Sequence, residues 1–283
     1  MGRHFEISDT RLHVVERGGD GLPVLILHGG PSLDHHMFGD YLDPLGDEFH
    51  LVLVDQRSQG LSDRAPIETW TLARMAADVG ELAEAMGFDR YATLGHSYGA
   101  FVVLQQAVDE PGHAAATIVS SGAPSARHLA GVAENLATFE PVELREQVTR
   151  SWAREQEALT AEECDALLHD QLPFHFADPR DPRIAEFERR TAGVVQSPDV
   201  LRHFAVAEYG AIEVEDRLGD VRQPTLVLAG RHDRTCSVAA AEAIAAGVPG
   251  AELVVFEGSG HMTFAEENEA YLGTVRRFLQ SVP

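Results

Sequence analysis

The chain has 283 residues, of which 44% are hydrophobic, and its formal net charge is −23. This length and apolar content are enough to bury one large domain that carries an insertion. The acidic excess disfavours nucleic acid and anionic membrane surfaces as partners, because both would repel it and the arginines form only isolated pairs.

The first 19 residues lack a basic stretch followed by an unbroken apolar run, and no run of 18 apolar residues occurs in the sequence. We therefore expect a cytoplasmic chain without a membrane partner. Cys164 and Cys236 lack metal-ligand spacing and are expected to be free thiols. The adjacent His35 and His36, with no HExxH or glycine-rich nucleotide motif, favour neither a metal nor a cofactor.

The segments FEIS and RLHVVERG alternate apolar and polar residues around a turn, which predicts an antiparallel hairpin. Later runs are short, almost continuously apolar and followed by Gly, Ser, Asp or His, as parallel strands covered on both faces are. These runs are PVLILHGG, FHLVLVDQR, RYATLGHS, AATIVSSGAP, PTLVLAGRHD and AELVVFEGSGH. Amphipathic helical stretches separate them. The alternation predicts an α/β fold with a mostly parallel eight-stranded sheet flanked by helices.

The region 125–215 departs from this alternation. Its helical segments are rich in Arg and Glu and are broken by prolines such as Pro173 and Pro198. We interpret it as a helical cap inserted between two strands, with residues 1–124 and 216–283 forming the core domain.

Ser97 lies in the segment LGHSYGA, where an apolar run meets a helical stretch. Such a serine occupies a tight strand-to-helix turn, and Gly95 and Gly99 leave room for the neighbouring backbone. The competing interpretation is a serine that only caps the helix. The turn favours Ser97 as a nucleophile.

A serine nucleophile needs a base, and the base needs an acid, in the chain order Ser, acid, His. His261 is the last histidine and follows a predicted strand, so it is the candidate base. Asp233 follows the preceding strand and is the candidate acid, whereas Asp216 and Asp220 lie in a stretch that looks solvated.

Two N–H donors are needed to stabilise the oxyanion of an acyl-transfer intermediate. One is the amide after the nucleophile, here that of Tyr98. The other is expected from the loop after an early strand, where the sequence HGGP nominates Gly30.

The motifs HGGPS, VDQRSQGLSD, GHSYGA, AGRHD and GSGH occur in the order and spacing of the proline iminopeptidase-like branch of the α/β-hydrolase superfamily, which this chain resembles from about residue 24 to 262. The resemblance implies a Ser97, Asp233 and His261 triad. It also implies that Asp55 and Arg57, in the DQR stretch, hold the HGGP loop.

Aminopeptidases of this branch bind the substrate ammonium through acidic residues of the cap and next to the triad acid. Glu208 occupies a similar cap position, but Arg234 follows Asp233 where some of those enzymes have a glutamate. The resemblance thus implies a short-peptide substrate bound through Glu208, and Arg234 argues for a neutral or anionic acyl group.

Two other functions remain open at this point. An esterase, amidase or lactonase would use the same chemistry on a small molecule without an ammonium group. A binding protein with this fold would not turn over, which the intact Ser, Asp and His disfavour. The residues leave the oligomeric state open.

Overall fold

The computed structural model describes residues 2–207, 209 and 211–282. Within these residues eight strands form one sheet in the order β1-β2-β4-β3-β5-β6-β7-β8. The strands are β1 Arg3–Ile7, β2 Thr10–Gly18, β3 Pro23–Leu27, β4 His50–Val54, β5 Ala92–His96, β6 Ala116–Ser120, β7 Thr225–Gly230 and β8 Glu252–Phe256. The first two strands pair antiparallel and the other six run parallel. The predicted eight-stranded, mostly parallel sheet is confirmed.

Helices cover both faces of the sheet. The helices that follow strands in the core are α1 Leu72–Ala85, α2 Tyr98–Asp109, α8 Val238–Gly247, α9 Thr263–Glu266 and α10 Asn268–Ser281. Successive residues of β7 enter different apolar clusters, with Leu226 and Leu228 on the α10 side and Val227 and Ala229 on the α1, α2 and α8 side. This double burial explains why the parallel strands read as continuous apolar runs.

Five further helices lie between β6 and β7 in the described chain. They are α3 Val132–Ala137, α4 Val142–Arg154, α5 Ala161–His175, α6 Arg183–Arg190 and α7 Pro198–Val206. Pro173 does not break α5, which continues for two residues to His175, although the proline cannot donate a helical hydrogen bond. The division of the chain at residues 125 and 215 stays a prediction.

None of the described helices is both long and apolar enough to cross a membrane. The loops that end β3, β5, β6, β7 and β8 meet at one edge of the sheet, since carboxyl ends of parallel strands share an edge. The candidate site lies at this edge.

Candidate active site

Ser97 forms the sharp turn between β5 and α2. Its backbone has φ 55° and ψ −119°, a left-handed conformation that costs free energy for a residue other than glycine. A Cβ added at Gly95 would lie 2.1 Å from the carbonyl oxygen of Gly99, and one added at Gly99 would lie 2.3 Å from that of Leu27. The prediction that both glycines make room for backbone is therefore correct.

The hydroxyl of Ser97 makes no hydrogen bond among the residues that the structure describes. Ser97 is partly exposed rather than buried. Ser97 stands at the N-cap position of α2 without capping it through its side chain. The Ser97 N–H donates to the Ser120 carbonyl at 2.9 Å, which fixes the turn. A helix-capping role does not account for this serine.

His261 and Asp233 are hydrogen-bonded to each other, with 2.7 Å between the His261 Nδ1 and the Asp233 Oδ2. The other carboxylate oxygen, Oδ1, accepts from the Thr235 N–H and hydroxyl at 2.8 Å and from the Cys236 N–H at 2.9 Å. Burial raises the pKa of Asp233, but His261 and the Thr235 bonds outweigh it and hold that pKa below its usual value. An ionised Asp233 accepts Nδ1–H and leaves Nε2 as the basic atom.

The backbone of His261 is held on both sides. Its N–H donates to the His175 carbonyl at 2.6 Å, and the Ser121 hydroxyl donates to its carbonyl at 3.0 Å. The His96 and His175 rings lie 5.0 and 5.1 Å from the His261 ring, centroid to centroid. Burial lowers the pKa of His175 to about 3 and that of His96 well below its usual value, so both rings are neutral near pH 7.

The two other aspartates considered for the role of the acid are more exposed than Asp233. Asp216 and Asp220 are exposed residues of the short 3₁₀ helix Glu215–Asp220. The structure brings Asp233, and neither of these two, to His261.

Gly30 and Tyr98 line the same cavity as Ser97 and His261. Gly30 has φ +106°, which a side chain would strain. In the described part of the chain the N–H groups of Gly30 and Tyr98 have no hydrogen-bond partner. Two unpaired donors beside a free serine hydroxyl can bind an oxyanion.

The loop that contains Gly30 is held by two glutamines that the sequence did not nominate. The Gln59 side-chain carbonyl accepts from the Ser32 N–H at 2.7 Å, and the Gln56 amide donates to the His28 carbonyl at 2.8 Å. Both glutamines lie in the segment DQRSQG. The only feature of the sequence that could have pointed to them is that this segment was expected to lie beside the HGGP loop.

Asp55 and Arg57 hold other parts of the molecule. Asp55 accepts from the ring and N–H of His35 at 2.7 and 2.9 Å and from the ring of His13 at 2.9 Å. Arg57 pairs with Asp78 at 2.6 Å. Neither Asp55 nor Arg57 is among the described residues that line the cavity. They are structural, as predicted, but they do not bind the HGGP segment itself.

The cavity above Ser97 has a volume of about 440 Å³. Its walls are mostly apolar, and the segment between β6 and β7 supplies 15 of the 27 described residues that line it. The aliphatic and aromatic lining residues include Leu33, Phe101, Leu129, Val132, Leu136, Leu167, Leu168 and Leu201. The cavity is large enough for a small molecule, which would meet largely apolar surroundings there.

Glu155 is the carboxylate residue among the described cavity-lining residues. It is 6% exposed and accepts hydrogen bonds from the Gln171 amide at 2.7 Å and from the Tyr209 hydroxyl. No cation pairs with it in the described residues, and burial raises its pKa. The sequence did not single it out, because it lies in an Arg- and Glu-rich segment that looks solvated. The predicted Glu208 lies outside the described residues.

The family of the chain follows from comparison with known proteins. The model of the alpha/beta hydrolase fold matches residues 23–268. The chain belongs to the alpha/beta hydrolase fold family. It is 26% identical to a proline iminopeptidase of Heyndrickxia coagulans, over 94% of this chain and 93% of that protein. The predicted resemblance and the expectation of a hydrolase enzyme are confirmed.

Solved structures agree on the fold of this alpha/beta hydrolase. An alpha/beta fold family hydrolase from Bacillus anthracis superposes with a TM-score of 0.81 at 20% identity, covering 100% of this chain and 99% of that one. An esterase from Exiguobacterium antarcticum superposes with a TM-score of 0.78 at 23% identity, covering 99% and 100%.

Arg234 binds backbone carbonyls at the C-terminal end of helix α5 in this hydrolase. Its guanidinium donates to the carbonyls of Phe174, Phe176 and Ala177 at 3.1, 2.6 and 3.0 Å. These carbonyls lack helical partners at the end of α5, so the cation satisfies them. Arg234 is not among the described residues that line the cavity. The structure thus differs from the expectation of a free cation beside the substrate.

Glu266 joins the loop of His261 to the same end of α5. One carboxylate oxygen accepts from the Ala177 N–H at 2.7 Å, and the other accepts from the Gly260 N–H at 2.8 Å. Burial raises the pKa of Glu266 to about 7, against the lowering effect of both N–H bonds and of Arg183. Glu266 therefore titrates near neutral pH at a point next to His261.

We expect Glu266→Gln to change how stability depends on pH. Because the pKa of Glu266 is about 7 in the folded chain and about 4.5 for an ordinary glutamate, the wild type loses stability as the pH rises through this window. Relative to Glu266→Gln, it should lose about 2 kcal/mol of unfolding free energy between roughly pH 5.5 and 7.5. Urea unfolding of both proteins at the two pH values measures this difference.

The control is Glu267→Gln, since Glu267 accepts from the Gly258 N–H and the Ser259 hydroxyl of the same loop. If the unfolding free energies of Glu266→Gln and of the wild type changed by the same amount between the two pH values, Glu266 would not be the group that titrates in this range.

Proposed function

We propose that this alpha/beta hydrolase is a serine hydrolase that works through an acyl-enzyme. Ser97 Oγ attacks the substrate carbonyl while His261 Nε2 takes its proton, and Asp233 orients and stabilises the resulting imidazolium. The Ser97 hydroxyl, which makes no hydrogen bond among the described residues, and the 2.7 Å bond between His261 and Asp233 support these roles. His261 then protonates the leaving group, and water releases the acyl group by the reverse sequence.

The N–H groups of Gly30 and Tyr98 would stabilise the oxyanion in both steps. Because these donors are held by the loop and the turn before substrate arrives, they need no reorganisation as charge develops. The Gln59 bond to Ser32, at 2.7 Å, supports this by fixing the loop just after Gly30.

For the substrate we propose a small peptide or aminoacyl amide with a free N-terminus, as in a proline iminopeptidase. The observation that carries this proposal is Glu155, a carboxylate 6% exposed in the cavity wall without a paired cation. A buried carboxylate is costly unless it is neutralised or paired, and the ammonium of a substrate would supply the missing charge.

The test compares prolyl anilide with its N-acetyl analogue. The wild type should prefer the free amine, and Glu155→Gln should lower that preference by about 10- to 100-fold, as expected for one hydrogen bond to a charged group. Glu157→Gln is the matched control, because Glu157 is exposed two residues further along the chain. Glu208→Gln, measured in parallel, tests the carboxylate that the resemblance implied. Equal hydrolysis of the blocked compound by the wild type would contradict ammonium recognition.

An esterase is the second candidate function, and the apolar cavity wall favours it. Leucines and other apolar side chains make up most of the lining, which suits a hydrocarbon acyl group. Short-chain esters cleaved faster than every aminoacyl amide, with no effect of Glu155→Gln, would favour this function over the first.

A further inference from the structure

Ser32 has a backbone conformation that favours glycine. Its φ is 104°, and a residue with a side chain keeps such a φ only where surrounding contacts hold it. Ser32 lies two residues after Gly30, whose N–H is a proposed oxyanion donor, and both residues line the cavity. Strained residues concentrate at functional sites, so the contacts of Ser32 indicate what its side chain contributes.

The polar groups of Ser32 bind two different parts of the chain. Its N–H donates to the Gln59 side chain at 2.7 Å. Its carbonyl accepts from the Ser197 N–H at 2.9 Å, and its hydroxyl lies 3.2 Å from Gln196 Oε1. Gln196 and Ser197 directly precede helix α7, and Ser197 is its N-cap residue. Ser32 therefore joins the loop of Gly30 to the start of α7.

The direction of the hydroxyl bond is set by a neighbouring residue. Gln196 Nε2 donates to Asp165 Oδ1 at 2.8 Å, so the other end of this amide, Oε1, faces Ser32. Because Oε1 can only accept, the Ser32 hydroxyl is the donor. Ser32 and Gln196 are both buried, so the loss of either partner leaves the other without a replacement from solvent.

Helix α7 also contacts the residue that carries the second oxyanion donor. The Phe204 ring of this helix lies 5.1 Å from the Tyr98 ring, centroid to centroid. A further bond ties the start of α7 to the first loop, since the Val195 N–H donates to Asp34 Oδ2 at 3.1 Å. Leu201, in the same helix, lines the cavity. The helix and the segment before it thus touch both donor-bearing segments and the cavity.

We propose that Ser32 is a positioning residue that holds the Gly30 N–H in place by tying its loop to helix α7. Only Pro31 separates Ser32 from Gly30, and the proline ring fixes its own φ, so a shift of Ser32 moves Gly30 as well. This inference rests on the proposed serine hydrolase, in which the Gly30 N–H binds the oxyanion. Ser32 acts through that donor, so it should affect the transition state more than the bound substrate.

Ser32→Ala tests the hydroxyl, because alanine keeps the Cβ and the backbone bonds. With prolyl anilide, kcat should fall about three- to tenfold with KM almost unchanged, as the loss of one neutral hydrogen bond gives. The affinity for phenylboronic acid, which forms a tetrahedral adduct with a serine nucleophile, should fall by the same factor. Unchanged kcat and unchanged boronate affinity in the folded variant would overturn the proposal.

Two further variants separate this role from a structural one. Ser32→Gly lacks the same hydroxyl but relieves the strain at φ 104°, so it should melt at a higher temperature than Ser32→Ala and share its low kcat. In a Gln196→Met background, which lacks the acceptor, Ser32→Ala should cause no further loss of kcat. Recovery of kcat in Ser32→Gly, or additive losses in the double variant, contradicts the role of the hydroxyl. If Ser32→Ala does not fold, the kcat of Ser32→Gly decides.

Ser125→Ala is the matched control. The Ser125 hydroxyl also links distant segments, since it donates to Glu213 Oε2 at 2.7 Å, and Ser125 is not among the described residues that line the cavity. Its kcat and boronate affinity should stay at the wild-type values. Losses equal to those of Ser32→Ala would mean that the effect is not specific to the loop of Gly30, and the proposal would fail.

Failure of the proposed function gives a different result. A wild type that binds phenylboronic acid at Ser97 but cleaves only esters would exclude the aminopeptidase, and kcat is then compared with p-nitrophenyl acetate under the same criteria. A wild type that neither binds the boronate nor cleaves either substrate would overturn the serine hydrolase, and with it the role of Ser32.

Discussion

Ser97→Ala should lower kcat by about 10⁴- to 10⁶-fold, the loss typical of removing a serine nucleophile. The variant should fold, because alanine meets the same left-handed backbone at φ 55° and the Ser97 Oγ makes no hydrogen bond among the described residues that folding would lose. Steady-state kinetics and thermal melting measure the two effects. A fluorophosphonate should label the wild type on the peptide that contains Ser97 and should not label the variant.

Ser58→Ala is the control for this experiment. Ser58 also has a positive φ, 62°, near the end of a strand, but its Oγ accepts from the Ala65 N–H at 2.9 Å. It should lose some stability and keep both activity and labelling. Near-normal turnover in Ser97→Ala, or labelling on another residue, would remove Ser97 from the nucleophile role.

The sheet and the positions of these residues could be predicted because the signals are local. A strand buried on both faces is a short apolar run, and the residue that follows it falls at the carboxyl edge of the sheet. Ser97, Asp233 and His261 each follow such a run, so chain order alone nominated them.

The residues that the sequence missed depend on packing between distant segments. Glu155 looks like a solvated helix residue until Gln171 and Tyr209 donate to its carboxylate. The role of Glu266 is seen only in the folded chain, where its carboxylate accepts from the N–H groups of Ala177 and Gly260. Neither burial nor partner can be read from amphipathic periodicity, because periodicity does not say which helix covers which face.

Arg234 shows the same limit for charge. From the sequence its cation lies next to Asp233 and argues against an ammonium group in the substrate. In the structure the guanidinium is held by three carbonyls at the end of α5, of which the Phe176 carbonyl is the closest at 2.6 Å. That objection to a peptide substrate is therefore weaker than the sequence suggested.

His261→Ala should be about as damaging as Ser97→Ala, since either change leaves the serine hydroxyl without a working base. Asp233→Asn should retain more activity, with kcat lower by about 10⁴-fold, because the general base itself is still present. Kinetics of the three variants on one substrate, with melting curves to show that each is folded, measure this order.

The hydrogen bonds of Asp233 explain why replacing its carboxylate by the amide of asparagine should lower kcat so strongly. Its Oδ1 accepts from the N–H groups of Thr235 and Cys236 at 2.8 and 2.9 Å, so in Asp233→Asn the amide oxygen must take this place. The amide nitrogen then points at His261 Nδ1, where Oδ2 lies at 2.7 Å in the wild type. Two donors cannot share that bond, so Nδ1 must accept and the proton moves to Nε2, the atom that has to act as the base. Full activity in Asp233→Asn, with loss of activity in an Asp216 or Asp220 variant, would show that Asp233 is not the triad acid.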